Sequence, residues 1–233
     1  MSKEWIDKDS LQKILEKHIQ NLRSELINAN RAWEVCKAIG DNKAELKKYG
    51  LEKLFGFYQY SARTLLFGAL SKIFDTYPRG KDIAQAFQTS CLISIRMLIE
   101  EYRDKLNPKN YDKLKKDTLQ LIKRVSVDEN MNMNDFVINH LKSIRDNEKT
   151  KQLLRNLKSI RNKKLAHNDI IDFKVVPSLN TKDMKSLFKT VRETINIIGD
   201  IYNCGSCPRD TYSLSMNIKN LLKRLKKSRK SEV

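Results

Sequence analysis

Apolar residues recur at threes and fours along nearly the whole chain, which is the period of helices packed on one side. Leu11, Leu15, Leu22, Leu26, Ala29, Trp33 and Cys36 make a first stripe of about seven turns. Asp9 or Ser10 is placed to cap it and Gly40 to close it. A short polar link leads to a second helix through Leu54, Phe55, Tyr58, Ala62, Leu65, Leu66, Ala69 and Ile73. Its apolar arc is wide, which predicts burial on more than one side. A third helix is expected from about Asp82 to Leu106, with Ala84, Phe87, Cys91, Ile95, Leu98, Ile99 and Tyr102 inward.

Asn107-Pro108 reads as a cap followed by a first helical residue, opening a helix over about 108–125 that buries Tyr111, Leu114, Leu121 and Ile122. Ser126–Asn134 is polar and reads as a loop. Asn134 or Asp135 opens a helix to about 146, and another runs over about 149–167. Residues 168–180, with Pro177 and a short β-branched run, form a connection. Thr181 caps a helix whose inner face is Met184, Leu187, Phe188, Val191, Ile195, Ile198 and Tyr202. A last helix spans about 210–229. The pattern predicts an all-α helical bundle of seven to eight helices, divided into residues 1–209 and a basic C-terminal helix and tail, 210–233.

Composition sharpens this picture. The 233 residues carry 46 Lys and Arg against 28 Asp and Glu, a net charge of +18. Such a chain favours a polyanionic partner. With 40% hydrophobic residues it also builds a core. No secretory leader and no run of about 18 apolar residues is present, so the expected compartment is the cytoplasm, with no membrane partner. Cys36 and Cys91 fall on apolar faces and read as core residues. Cys204 and Cys207 form a lone CxxC, read as thiols in a turn, since a structural zinc site needs four ligands. No phosphate-binding glycine loop, His-Glu-x-x-His pair or Gly-x-Ser-x-Gly elbow occurs. Neither a metal site nor a cofactor is expected.

The chemistry concentrates in Ile160-Arg161-Asn162-Lys163-Lys164-Leu165-Ala166-His167-Asn168-Asp169. It holds one of three histidines. On a helix, Leu153, Leu157, Ile160, Lys164 and His167 share a stripe, so a half-buried structural His167 is one reading. The other reading is a site: imidazole titrates near neutrality, Arg stays charged and grips two phosphate oxygens, and the Asn amide can orient either. Arg161 and His167 lie about 120° and 9 Å apart on a straight helix. Either the helix ends between them, or Arg161 of one chain meets His167 of another. Lys163 and Lys164 stand beside them as phosphate binders or as solvated lysines. Lys223, Arg224, Lys226 and Lys227 belong to a tail with seven Lys and Arg between 219 and 230 and no acid. That tail is a frayed helix end or a backbone-binding element for nucleic acid.

The string Arg161-Asn162-x4-His167 resembles the signature of the HEPN superfamily: Arg, a polar residue, a spacer, then His. The length of the all-α chain, the Ile73-Phe74-Asp75 ending of the second helix and the motif's place past midchain are most similar to the abortive-infection, AbiU-like branch, over most of residues 10–205. The resemblance implies a homodimer whose motif helices form one composite cleft. It further implies a metal-independent endoribonuclease acting through the RNA 2′-OH, a toxin or antiviral defence effector with Arg161, Asn162 and His167 catalytic, and possible control by a cognate inhibitor or antitoxin. The alternative is a non-catalytic HEPN-like module that binds RNA or a protein. The basic C-terminal helix and the CxxC fall outside the family pattern.

Overall fold

The computed structural model describes residues 6–74, 83–125, 132–148, 150–153, 155–156, 159, 181–205, 220, 223–224 and 227. Every regular element among them is helical. The α-helices are α1 Lys8–Asp41, α2 Lys43–Lys48, α3 Glu52–Ile73, α4 Ile83–Gln88, α5 Leu92–Glu101, α6 Lys116–Val125, α7 Met133–Asp146 and α8 Thr181–Ile201, with a 3-10 turn at Tyr111–Lys113. Asp75 lies outside the described residues.

Two compact units divide the chain. The first comprises Met1–Leu26 and Ser71–Pro208, and the second Ile27–Leu70 and Arg209–Val233.

In the first unit the core is aliphatic. Leu11, Leu15, Ile19 and Leu22 of α1, Ile95, Leu98 and Ile99 of α5, Val137 and Leu141 of α7, and Val191, Ile195 and Ile198 of α8 are all buried. The inward face expected for α8 is found complete, from Met184 to Tyr202. The start of α1 is held by Asp7 rather than Asp9 or Ser10: its carboxylate accepts the Ser10 N–H at 2.8 Å and the Ser10 hydroxyl at 2.7 Å.

The single helix expected over 82–106 is two. Cys91 adopts an extended backbone and caps α5, its Sγ accepting the Ser94 N–H. The preceding Ser90 is turned toward α1, where His18 Nδ1 lies 2.8 Å and Asn21 Nδ2 2.9 Å from its hydroxyl. Ala84, expected inward, is exposed. The helix expected from Pro108 begins only at Lys116. Its upstream segment is pinned to the end of α8 instead: the Lys109 N–H donates to the Ile201 carbonyl at 2.8 Å, and the Lys115 N–H to Asp200 at 2.8 Å. Asn132, not Asn134 or Asp135, caps α7 by accepting the Asn134 N–H at 2.9 Å.

In the second unit the later part of α1 packs on α2 and on the first turns of α3. Ala38, Ile39 and Leu46 form its centre, with Val35, Tyr49, Leu51 and Phe55 around them. The Gln59 side chain donates to the Cys36 carbonyl at 3.1 Å, tying the two long helices. Helix α2 arises where the sequence showed only a polar link; Asn42 breaks the run, donating its amide to the Ala38 carbonyl at 2.7 Å. The wide apolar arc of α3 is covered on one side only. Ala62, Leu66 and Ala69 are buried, whereas Leu54, Tyr58 and Leu65 are more than half exposed.

Candidate functional site

Helix α7 leads toward the Arg-Asn-His motif. Its inner face, from Phe136 to Ile144, is buried, and Lys142 pairs with Glu100 of α5 at 3.0 Å. Asn147 then ends one helix and starts the next. Its own N–H closes α7 on the Ser143 carbonyl, while its side chain accepts the Thr150 N–H at 3.2 Å and its carbonyl the Lys151 N–H at 2.9 Å. The described residues from Glu148 to Ser159 are helical. The motif's approach is therefore anchored at a capped helix start on a packed helix.

Arg161, Asn162, Lys163, Lys164 and His167 lie outside the described residues, as does Lys226. Lys223, Arg224 and Lys227 are helical and exposed.

The other two histidines are fully described, and both are structural. His140 on α7 is buried, its ring stacked on Phe136 and its Nε2 3.2 Å from the Thr194 hydroxyl of α8. Burial pulls its imidazole down to about 4. His18 on α1 is buried against Ser90, and burial, with Lys17 adding to it, lowers its pKa too. Both rings are neutral at pH 7 and withheld from solvent. Neither can shuttle protons to a bound molecule.

A second set of side chains fixes the end of α8. Asp200, buried, is pushed up by its burial, but the Lys115 N–H, the Lys109 ammonium at 3.0 Å and the Thr118 hydroxyl outweigh this and hold its pKa below the usual carboxylate value. The Tyr202 hydroxyl donates to Asn134 at 2.6 Å, and Asn134 donates to the Arg103 carbonyl at 3.1 Å. Arg23 of α1 donates to the carbonyls of Cys204 (2.6 Å) and Gly205. Sequence reasoning placed Tyr202 inward but gave no role to Asp200 or Arg23. An acid inside the run Ile197-Ile198-Gly199-Asp200-Ile201 was the available signal for Asp200.

Cys204, the first cysteine of the CxxC, is buried, and its thiol shares the Tyr202 carbonyl at 3.3 Å. Burial, and next the Glu16 carboxylate, raise it to about 11 despite Arg23. It is a protonated core thiol at pH 7; Cys207 lies outside the described residues. Among the described residues no group of three or more His, Cys, Asp or Glu could hold a metal ion. No described helix is long and apolar enough to cross a membrane.

The family model for HEPN AbiU2 matches residues 11–221. The chain belongs to the AbiU2 family of HEPN proteins. The match runs through both described units and contains the whole Arg161-Asn162-x4-His167 motif; it also takes in Cys204, Cys207 and residues 210–221, which the motif reading leaves outside the family pattern. No curated protein and no solved structure matches the chain. Membership gives this helical protein an abortive-infection context.

Proposed function

We propose that this AbiU2 protein is a metal-independent endoribonuclease, acting as a cytoplasmic homodimer in defence against phage. The observation that carries the reading is the intact Arg161-Asn162-x4-His167 motif inside the family match. The histidine inventory supports it. His18 and His140 are buried and neutral, so the reading assigns proton transfer to the third histidine, His167.

RNA cleavage through the 2′-hydroxyl needs a base for that proton, a cation for the charge gathering on phosphorus, and an acid for the departing 5′-oxygen. One His167 takes the 2′-OH proton. The freed oxygen attacks phosphorus, and the bond to the 5′-oxygen breaks. A second proton donor protonates that oxygen, leaving a 2′,3′-cyclic phosphate and a 5′-hydroxyl. One chain supplies one such histidine, so the second His167 comes from a second copy. Arg161 grips the phosphate oxygens, Asn162 orients Arg161 or His167, and Lys163 and Lys164 add phosphate contacts. A cognate inhibitor would keep such an activity in check.

The test is a cleavage assay on labelled RNA in EDTA, with DNA of the same sequence beside it. RNA is cut and DNA survives, since DNA lacks the 2′-OH. His167→Ala and Arg161→Ala each lower the rate by about a hundredfold or more. Cleavage indifferent to both substitutions rules the site out. RNA binding without cleavage, weakening with salt, identifies the non-catalytic module instead.

A further inference from the structure

One side of α3 leaves large apolar side chains exposed. Leu54, Tyr58, Ser61, Leu65 and Gly68 follow one another at steps of four, three, four and three residues. That is the spacing at which a helix face meets another helix along its length. Leu54 is 51%, Tyr58 52% and Leu65 65% exposed, and Phe57, beside them on the same face, is 66% exposed. Tyr60 is exposed as well but points about 120° away. Large apolar side chains left open in this way mark a contact surface.

Charge identifies the occupant. Between Leu54 and Ser71 the one charged residue is Arg63, which faces the Cys36 thiol of α1. In a chain with 46 Lys and Arg, a surface for RNA or for an acidic protein would carry several free cations here; this face carries none from Leu54 to Gly68, and Lys72, the next step along it, is paired with Glu25 at 2.6 Å. Two copies, each at +18, repel everywhere that their charges face each other. A neutral apolar strip is where they can meet. Four large side chains, each more than half exposed, offer about 400–500 Å² per copy. With the flanks at Ser61 and Gly68, the total for two copies comes to about 1,000 Å², the lower limit for a specific interface.

We propose that a second copy of this chain docks here, α3 against α3, antiparallel across a two-fold axis near Ser61. Such an axis sets Leu54 opposite Gly68 of the second copy, Tyr58 opposite its Leu65, and Ser61 opposite Ser61. Each large residue then meets a smaller or complementary one, as an isologous contact requires. A parallel pairing would set Leu54 on Leu54 and Gly68 on Gly68, crowding one layer and emptying another. Gly68 gains a reason from this. A Cβ there would meet nothing within 4 Å in its own chain, yet glycine weakens a helix interior relative to alanine. The inference deepens the dimeric reading above, but its test uses no RNA.

The experiment is sedimentation equilibrium of the full chain, wild type beside Leu65→Lys and Tyr58→Glu, with circular dichroism to verify helix content. The wild type is a dimer at micromolar concentration. Each variant weakens it at least about tenfold with the helix signal unchanged, since both positions are more than half exposed. In a Cys207→Ser background, Ser61→Cys forms a covalent dimer on mild oxidation. Tyr58→Cys does so only when combined with Leu65→Cys. A monomeric wild type, or a dimer indifferent to Leu65→Lys and uncrosslinked at position 61, overturns the proposal. So does a monomer that loses RNA binding on Phe57→Ala, which would make the face a base-stacking platform. A dimer lost on Leu65→Lys in a protein that cuts no RNA upholds the seam while the nuclease reading fails.

Discussion

At the scale of single residues, two histidines are kept neutral by burial, and this has a measurable consequence. His140 titrates near 4 in the folded chain against 6.5 when free. Below 6.5 the unfolded chain takes up a proton at this position and the folded chain does not. The neutral ring therefore contributes its full stability above 6.5, and that contribution drains away as the pH falls toward 4. The loss reaches at most about 1.4 kcal/mol per pH unit for each such histidine. His18, lowered for the same reason, adds to the fall. Urea melts between pH 7.5 and 4.5 should show stability dropping on the acid side of 6.5. His140→Gln should flatten that profile while losing some stability at pH 7, because the stack on Phe136 goes. An acid limb of unchanged steepness in the variant would mean that the ring is solvated.

At the scale of elements, the end of α8 shows how tightly backbone can be packed around one glycine. A Cβ at Gly199 would come closer than 3.0 Å both to the Gly205 carbonyl oxygen and to Arg23 Nη2. The carbonyl is backbone and cannot swing aside. Gly205 itself needs a positive φ, 77°, to turn the chain back over the helix. Gly199→Ala is expected to cost about 1–3 kcal/mol and to unseat Arg23 from its two carbonyls, which a chemical denaturation curve would register. A variant as stable as the wild type would mean that the turn relaxes freely. The same elements mark what a sequence can and cannot disclose. The 3.6-residue pattern revealed α1 and α8 with their buried faces and α3 and α7 as helices, because a stripe is written locally; on α3 it also turned Leu54, Tyr58 and Leu65 inward, and these are exposed. The break at Cys91 and the late start of α6 were not legible. Each depends on a distant partner, His18 of α1 for Ser90 and the end of α8 for Lys109 and Lys115. Asn107-Pro108 is a sound local start signal that tertiary bonds override. The motif was legible as a short string of chemistry-bearing residues, whereas the withdrawal of His18 and His140 from solvent needed the packed core to be seen.

At the scale of the whole molecule, the charge is unevenly spread, and the proposed RNA partner should feel this. Arg209–Val233 carries eight Lys and Arg against Asp210 and Glu232, six of the +18 net charges in 25 residues. Lys223, Arg224 and Lys227 are exposed there, and the exposed apolar face of α3 offers no cation before Lys72, which is paired with Glu25. An RNA strand drawn to this protein would therefore shed counterions mainly at the tail and at the motif's lysines. Replacing Lys223, Arg224, Lys226 and Lys227 together by Gln tests this. For single strands each lost phosphate contact lowers the slope of log affinity against log salt by about 0.7, so four lower it by about 3. If the proposed cleavage holds, the variant should keep its rate at saturating RNA, because Arg161, Asn162 and His167 are untouched. The proposed α3 pairing should survive as well, because α3 is untouched. A salt slope that does not move would assign the tail to a solvated helix end. A lower rate at saturation would mean that the tail acts within the site rather than upstream of it.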